Sequence, residues 1–366
     1  MSLRSFGFAC VPSSNPPIEP AAIDEVGTVS RQLRETLGRD LVGQSAFIDQ
    51  LVVTLLAGGH ALVEGVPGLA KTRAVQAMAA ATSLEFSRIQ FTPDLMPADI
   101  TGGNVLTDTS LADGTPFRFE KGPVFANLVL ADEINRTPPK TQAALLQCME
   151  ERTVSAGGVD HSLPNPFFVF ATQNPIEQGG TYPLPEAQLD RFLLKCRVGY
   201  PSAAEEQRIY RNHAFAEPWS HSAEAETPAI DGETLLRIQR VVAGVECGEL
   251  VLDYVTRLVR ESRPESTTSD EIRESVHWGI GPRGGLALLA AARARAAMRG
   301  RPLVEPGDIQ AMIEPCFEHR LLPSYQAASN RMTTVAILQR LGEHVPFRAN
   351  ARTAAVAKFL RPRRTS

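Results

Sequence analysis

Cysteine is scarce in this chain of 366 residues, and the thiols it has stand apart. Cys10, Cys148, Cys196, Cys247 and Cys316 form no C-x-x-C pair and have no histidine cluster beside them, which argues against disulfides and zinc and fits a reducing compartment. Charge of one sign is missing as well. A net charge of −4 creates no global field to draw the chain to nucleic acid or membrane. No run of roughly 18 apolar residues occurs, so no membrane insertion is expected. Met1 to Pro20 carries one arginine and no sustained apolar core, unlike a signal peptide. There is no internal repeat. A cytoplasmic protein is the expectation. What is present is ordinary for a globular chain, 43% hydrophobic and 21% charged, and the length allows two domains with cores of their own.

The stretch Gly59 to Thr72 reads GHALVEGVPGLAKT. A short apolar run, Ala61 to Val63, leads through Glu64 into Gly65-Val66-Pro67-Gly68-Leu69-Ala70-Lys71-Thr72, and an alanine-rich helical run follows from Arg73 to Ala81. Strand, glycine turn and helix are the context of a phosphate-binding loop. Its backbone N–H groups and the positive end of the helix converge on one point and bind an anion there. Lys71 then reaches the β- and γ-phosphates of ATP, and the Thr72 hydroxyl holds Mg²⁺. Ala70 departs from the usual glycine; alanine disfavours φ > 0, so the loop has to be helical by that residue. The plain alternative is an ordinary glycine turn.

Residues 1–24, with Pro12, Pro16, Pro17 and Pro20, read as a weakly ordered tail. Apolar residues recur at helical spacing from Val26 to Leu37, with Gly38 as a C-cap, and again from Ala46 to Ala57. Phe86 to Phe91 reads as a strand, and residues 102–119 as a hairpin insertion turning at Asp113-Gly114. Asn127 to Ala131 is an apolar strand running into Asp132 and Glu133. Acids at the carboxyl end of such a strand sit where open α/β sheets place ligands. Asp132 can orient the shell of Mg²⁺ and Glu133 can polarise an attacking water; the alternative is a solvated acidic turn. Thr137 is expected to cap a helix reaching Glu151. A second buried strand, Pro166 to Ala171, ends in Thr172-Gln173-Asn174-Pro175, where Asn174 either orients the nucleophilic water or caps the turn. After a short helix containing Arg191 and a strand from Leu193 to Val198, the pattern up to residue 200 is that of a parallel sheet with helices on both faces. From 201 to 320 strand signals vanish and helical periodicity takes over. Residues 321–366 form an extension in which Thr333 to Leu341 could be helical and the tail is basic (Arg348, Arg352, Lys358, Arg361, Arg363, Arg364). Arg191 has a surface ion pair with Asp190 or Glu186 as its alternative, and Arg283 has solvation at a helix start.

Taken together, GVPGLAKT at 65–72, LVLADEINR at 128–136, ATQNP at 171–175, LPEAQLDRF at 184–192 and GPRGG at 281–285 resemble an AAA+ ATPase, and within that superfamily the MoxR family. The match runs from about Val26 to Arg320, and alanine before the lysine is the MoxR form of the loop. The resemblance implies an α/β P-loop core at 25–200 followed by a small all-helical lid at 201–320. It implies that Lys71 and Thr72 are the phosphate-loop pair, Asp132 and Glu133 the magnesium and water-activating acids, and Asn174 the first sensor. Arg191 lies where such rings supply an arginine finger to the neighbouring subunit, and Arg283 matches the second sensor. Val42-Gly43-Gln44 sits where the family packs adenine. The implied partners are other copies of the chain in a ring, a hexamer, and a protein client, in this family often one with a von Willebrand factor A domain, on which the protein acts as a chaperone. Two other classes stay open: a DNA-associated motor or loader, and a scaffold that binds ATP without hydrolysing it.

Overall fold

The structure, a computed structural model, describes residues 18–66, 68–69, 71–106, 117–175, 179–214 and 230–348. Helices α1 (Pro20–Asp40) and α2 (Ser45–Ala57) precede strand β1 (Ala61–Gly65) and helix α3 (Lys71–Thr82). Strand β2 (Phe86–Gln90), a short helix α4 (Pro97–Thr101) and a hairpin of β3 (Gly102–Leu106) and β4 (Phe117–Lys121) come next. Strand β5 (Leu128–Asp132) leads to α5 (Pro139–Glu151), a second hairpin of β6 (Thr153–Ala156) and β7 (Val159–Ser162), then β8 (Phe168–Gln173), α6 (Glu186–Leu189) and β9 (Leu194–Val198).

Five of these strands build one parallel sheet in the order β2-β5-β8-β1-β9. Every residue of β5 is buried, which is why its sequence LVLAD shows no alternation. On one face Leu62, Ile89, Val129, Ala131, Val169 and Ala171 join Leu145, Leu146 and Met149 of α5 in a single core. Their chain neighbours point to the opposite face. The parallel arrangement brings the carboxyl ends of β1, β5 and β8 to one edge.

The chain divides into two compact units, Met1–Val245 with Arg293–Pro302 and Glu246–Ala292 with Leu303–Ser366. The division falls later than the expected break at 200. Helices α7 (Ala203–Ala214) and α8 (Gly232–Gly244) belong to the first unit. Arg237 of α8 pairs with Glu25 of α1, and Gln239 Nε2 donates to the Leu55 carbonyl of α2 at 2.7 Å. The second unit contains α9 (Glu249–Glu261), α10 (Asp270–Ser275), β10 (Val276–Trp278), most of α11 (Pro282–Ala297), α12 (Pro306–Phe317), β11 (Leu322–Pro323), α13 (Tyr325–Ser329) and α14 (Thr334–His344). It is not purely helical: β10 and β11 pair antiparallel, on strands too short to leave a period in the sequence. Residues 321–348 are part of this unit and not a trailing extension, because Leu338 and Leu341 of α14 are buried and Thr333 caps the helix by accepting from the Ala336 N–H.

Three local expectations change. Helix α1 begins at Pro20, with proline in the first turn where its missing N–H costs nothing, and runs through Gly38. Thr137 does not cap α5; its hydroxyl donates to the Thr92 carbonyl at 3.1 Å, and Pro138 is the N-cap. The hairpin β6–β7, absent from the sequence reading, follows α5. Pro67, Ala70, Cys10, the turn at Asp113-Gly114 and the basic tail beyond Arg348 lie outside the described residues. Among the described residues Cys148, Cys196, Cys247 and Cys316 stand outside any disulfide, and burial pushes the Cys316 thiol up to about 12. No described helix is long and apolar enough to cross a membrane.

Candidate active site

The loop after β1 is shaped by two glycines. Gly68 has φ +83°, open to glycine at no steric cost, and a Cβ on Gly65 would meet the Val198 carbonyl at 2.9 Å. Lys71 is the first residue of α3. Its ammonium donates to the carbonyls of Gly65 at 2.5 Å and Gln173 at 3.1 Å, so it spans the ends of β1 and β8. The neighbouring Thr72 hydroxyl donates to Asp132 Oδ2 at 3.4 Å.

Asp132 is 8% exposed and fully engaged. Oδ1 accepts from the Thr172 hydroxyl at 2.6 Å and Oδ2 from the Arg88 guanidinium at 2.6 Å. Glu133 follows in the left-handed region at φ 59°, ψ 48°, unusual for a residue with a Cβ and a recurring mark of functional sites. Its N–H donates to Thr172 Oγ1 at 2.9 Å, which anchors the turn to β8. Glu133 Oε2 accepts from Gln90 Nε2 at 3.0 Å and pairs with Arg136 Nε at 3.2 Å.

Lys71, Thr72, Asp132 and Glu133 are thus brought together at the carboxyl edge of the sheet. Asn174, buried at 5% exposure, directly follows the Gln173 whose carbonyl holds Lys71. Gln44 Nε2 donates to the Gly199 carbonyl at 3.0 Å, tying the Val42-Gly43-Gln44 segment to the exit of β9 beside the loop. A cleft of about 450 Å³ opens at Gly43, lined also by Arg31, Leu41, Ile48, Glu205 and Arg208. Arg191 is not in this group. It pairs with Glu150 of α5 at 2.7 Å, in place of Asp190 or Glu186. Arg283 is the second residue of α11, in the other unit.

Four side chains that hold these groups went unrecognised in the sequence: Arg88, Gln90, Thr172 and Glu150. Arg88 and Gln90 are two apart on β2 and so share a face. Only the pairing of β2 with β5, which sets Gln90 level with Asp132, gives that face a meaning.

The oxygens available suit one kind of cation. Thr72 Oγ1 and Asp132 Oδ2 are hard donors 3.4 Å apart, and no cluster of three or more His, Cys, Asp or Glu among the described residues could hold a metal alone. Mg²⁺ takes such sites, because it keeps several waters and completes its shell with phosphate oxygens.

Residues 60–194 match the model of the ATPase family associated with various cellular activities (AAA), and residues 268–341 that of an AAA lid domain. The chain is 43% identical over 318 residues to Chaperone MoxR1 of Mycobacterium tuberculosis, covering 87% of this chain and 81% of that one. It is 32% identical over 315 residues to Protein MoxR of Paracoccus denitrificans, over 81% of this chain and 90% of that one. A solved structure of a candidate ATPase from Cytophaga hutchinsonii superposes with a TM-score of 0.79 at 35% identity, over 90% of this chain and 98% of that one.

Proposed function

The chain belongs to the MoxR family of AAA+ ATPases, and on that premise we propose that it hydrolyses ATP with Mg²⁺ at the carboxyl edge of its sheet and uses the cycle to remodel or mature a partner protein. The observation that supports this reading is that Lys71 and Thr72, which follow β1, and Asp132 and Glu133, at the end of β5, lie at the same carboxyl edge of the sheet, with the Thr72 hydroxyl 3.4 Å from Asp132 Oδ2 and Lys71 on the carbonyl of Gln173 in β8.

Residues 65–72 would cradle the phosphates. Lys71 exchanges its two carbonyl acceptors for phosphate oxygens. Thr72 and Asp132 would hold the metal, which would supply positive charge to the phosphates. Glu133 polarises the attacking water and Asn174 fixes its position. Gly43 and Gln44 border the base. Arg191 and Arg283 add positive charge as the γ-phosphoryl group transfers; an arginine so placed is worth about 10³ to 10⁵ in rate. Because Arg191 is held on Glu150 in the single chain, its action belongs to a ring, in this reading a hexamer, where it serves the neighbouring subunit. A client carrying a von Willebrand factor A domain fits the family.

The first test separates binding from turnover. Lys71→Ala abolishes ATP binding in a calorimetric titration. Glu133→Gln keeps binding but loses about 10² to 10⁴ in steady-state hydrolysis. Tight binding by the first variant, or near-normal turnover by the second, would reject these assignments.

A further inference from the structure

Arg88 occupies a place that the proposed reaction leaves unused. It lies on β2, two residues before Gln90, and reaches across to the end of β5. One guanidinium nitrogen donates both to Asp132 Oδ2 at 2.6 Å and to Gln90 Oε1 at 2.9 Å. Gln90 turns its amide N–H to Glu133 Oε2 at 3.0 Å, so its two ends face a donor and an acceptor as they must.

The accounting at Asp132 is closed. Oδ1 belongs to Thr172. Oδ2, the oxygen on the Thr72 side and the one the proposed metal site needs, is taken by a cation of the protein itself. The two partners differ in freedom: the Asp132 side chain is 11% exposed and the Arg88 side chain 46%. The carboxylate cannot turn to a second partner, whereas the guanidinium can withdraw to water on its long stem at little solvation cost. A guanidinium within hydrogen-bond reach of Oδ2 and a divalent ion at that oxygen would also repel one another strongly in so little water.

We infer that Arg88 is the internal counter-cation of Asp132: it neutralises the buried carboxylate while the site is empty and competes with the divalent metal for Oδ2. Arg88 is thereby a positioning residue that sets how much Mg²⁺ the site requires. This rests on the nucleotide reading above, and the experiment keeps the two apart.

Wild-type protein, Arg88→Met and Arg88→Lys are titrated with a fluorescent, non-hydrolysable ATP analogue, first in EDTA and then at graded free Mg²⁺. Mn²⁺ binding is followed in parallel by electron paramagnetic resonance. In EDTA the three proteins bind the analogue within about twofold of each other. Arg88→Met, which keeps the stem and removes the charge, half-saturates at about fivefold lower Mg²⁺ and Mn²⁺, the scale of a partly exposed ion pair. Arg88→Lys, which keeps the charge without the planar fork, falls between. An unchanged or raised metal requirement in Arg88→Met, with the analogue still bound, overturns the inference and leaves the nucleotide site standing. Should Arg88→Met not fold, a requirement in Arg88→Lys no lower than that of wild type overturns it equally. No binding of the analogue by wild-type protein under any condition would sink the site assignment itself.

Discussion

His60 stands one residue before β1 and is wholly enclosed. Its Nδ1 accepts the Val169 N–H at 2.9 Å, Nε2 lies 3.3 Å from the Met149 carbonyl, and its ring meets Phe167 edge-on. An imidazole so placed is neutral, with the proton on Nε2. Burial, followed by the nearby Arg152 charge, lowers its pKa from 6.5 to about 3. The unfolded chain takes up this proton below about pH 6.5, whereas the folded chain does so only near 3. Stability therefore drains away as pH falls through that window. At pH 5 the deficit is about 2 kcal/mol relative to pH 7.5. Urea denaturation of wild type and His60→Asn at the two pH values measures it: Asn retains an acceptor for Val169 and does not titrate, so wild type loses about 2 kcal/mol more than the variant. Equal losses would show that His60 is not the group responsible. At this scale much of the candidate site was legible as residues, since Lys71-Thr72 and Asp132-Glu133 are contiguous in the chain. Arg88, Gln90, Thr172 and Glu150 were not, because each acquires its partner only when strands or helices distant in sequence come side by side. The left-handed backbone of Glu133 was equally hidden, since no glycine marks it.

At the level of elements, the two hairpins are joined. Phe119 of β4 stacks on His161 of β7 with ring centroids 4.0 Å apart and planes 16° from parallel. Phe119 also meets Phe125 edge-on, and Lys121 lies over the Phe125 ring. Asn104 of β3 covers Gly157, where a Cβ would come within 2.7 Å of its amide nitrogen. Phe119→Ala is expected to cost about 1–3 kcal/mol, below the figure for a fully buried ring because Phe119 is only partly covered. Hydrogen exchange should quicken in β6 and β7 as well as in β3 and β4. Acceleration confined to the mutated hairpin would mean that the stack carries no coupling. The central strands β1, β5 and β8 could be read in advance from their apolar runs. The β6–β7 pair could not: VDHS is four residues long with a single apolar residue. The β10–β11 ladder escaped for the same reason of length.

For the whole molecule, the proposed ring makes the action of Arg191 depend on assembly. Rings mixed from Arg191→Ala and Glu133→Gln subunits should regain part of the activity that each variant lacks alone, because some interfaces then combine an intact Glu133 with an intact Arg191. Steady-state phosphate release from mixtures of defined ratio measures this. Rings shown to be mixed yet inactive would place the arginine's action elsewhere. The α/β core and the following lid were legible from the order of motifs. Their true division was not, because nothing local in residues 201–245 announces that α8 lies on α1 and α2.

That division has a temporal side. The stretch Arg293–Pro302 returns to the first unit, where Gly300, at φ +67°, sits against Gly27 of α1. A ribosome releases this stretch only after residues 246–292 have emerged. The larger unit therefore cannot finish closing before the first segment of the smaller one is outside the exit tunnel, and neither can be made as an uninterrupted gene fragment.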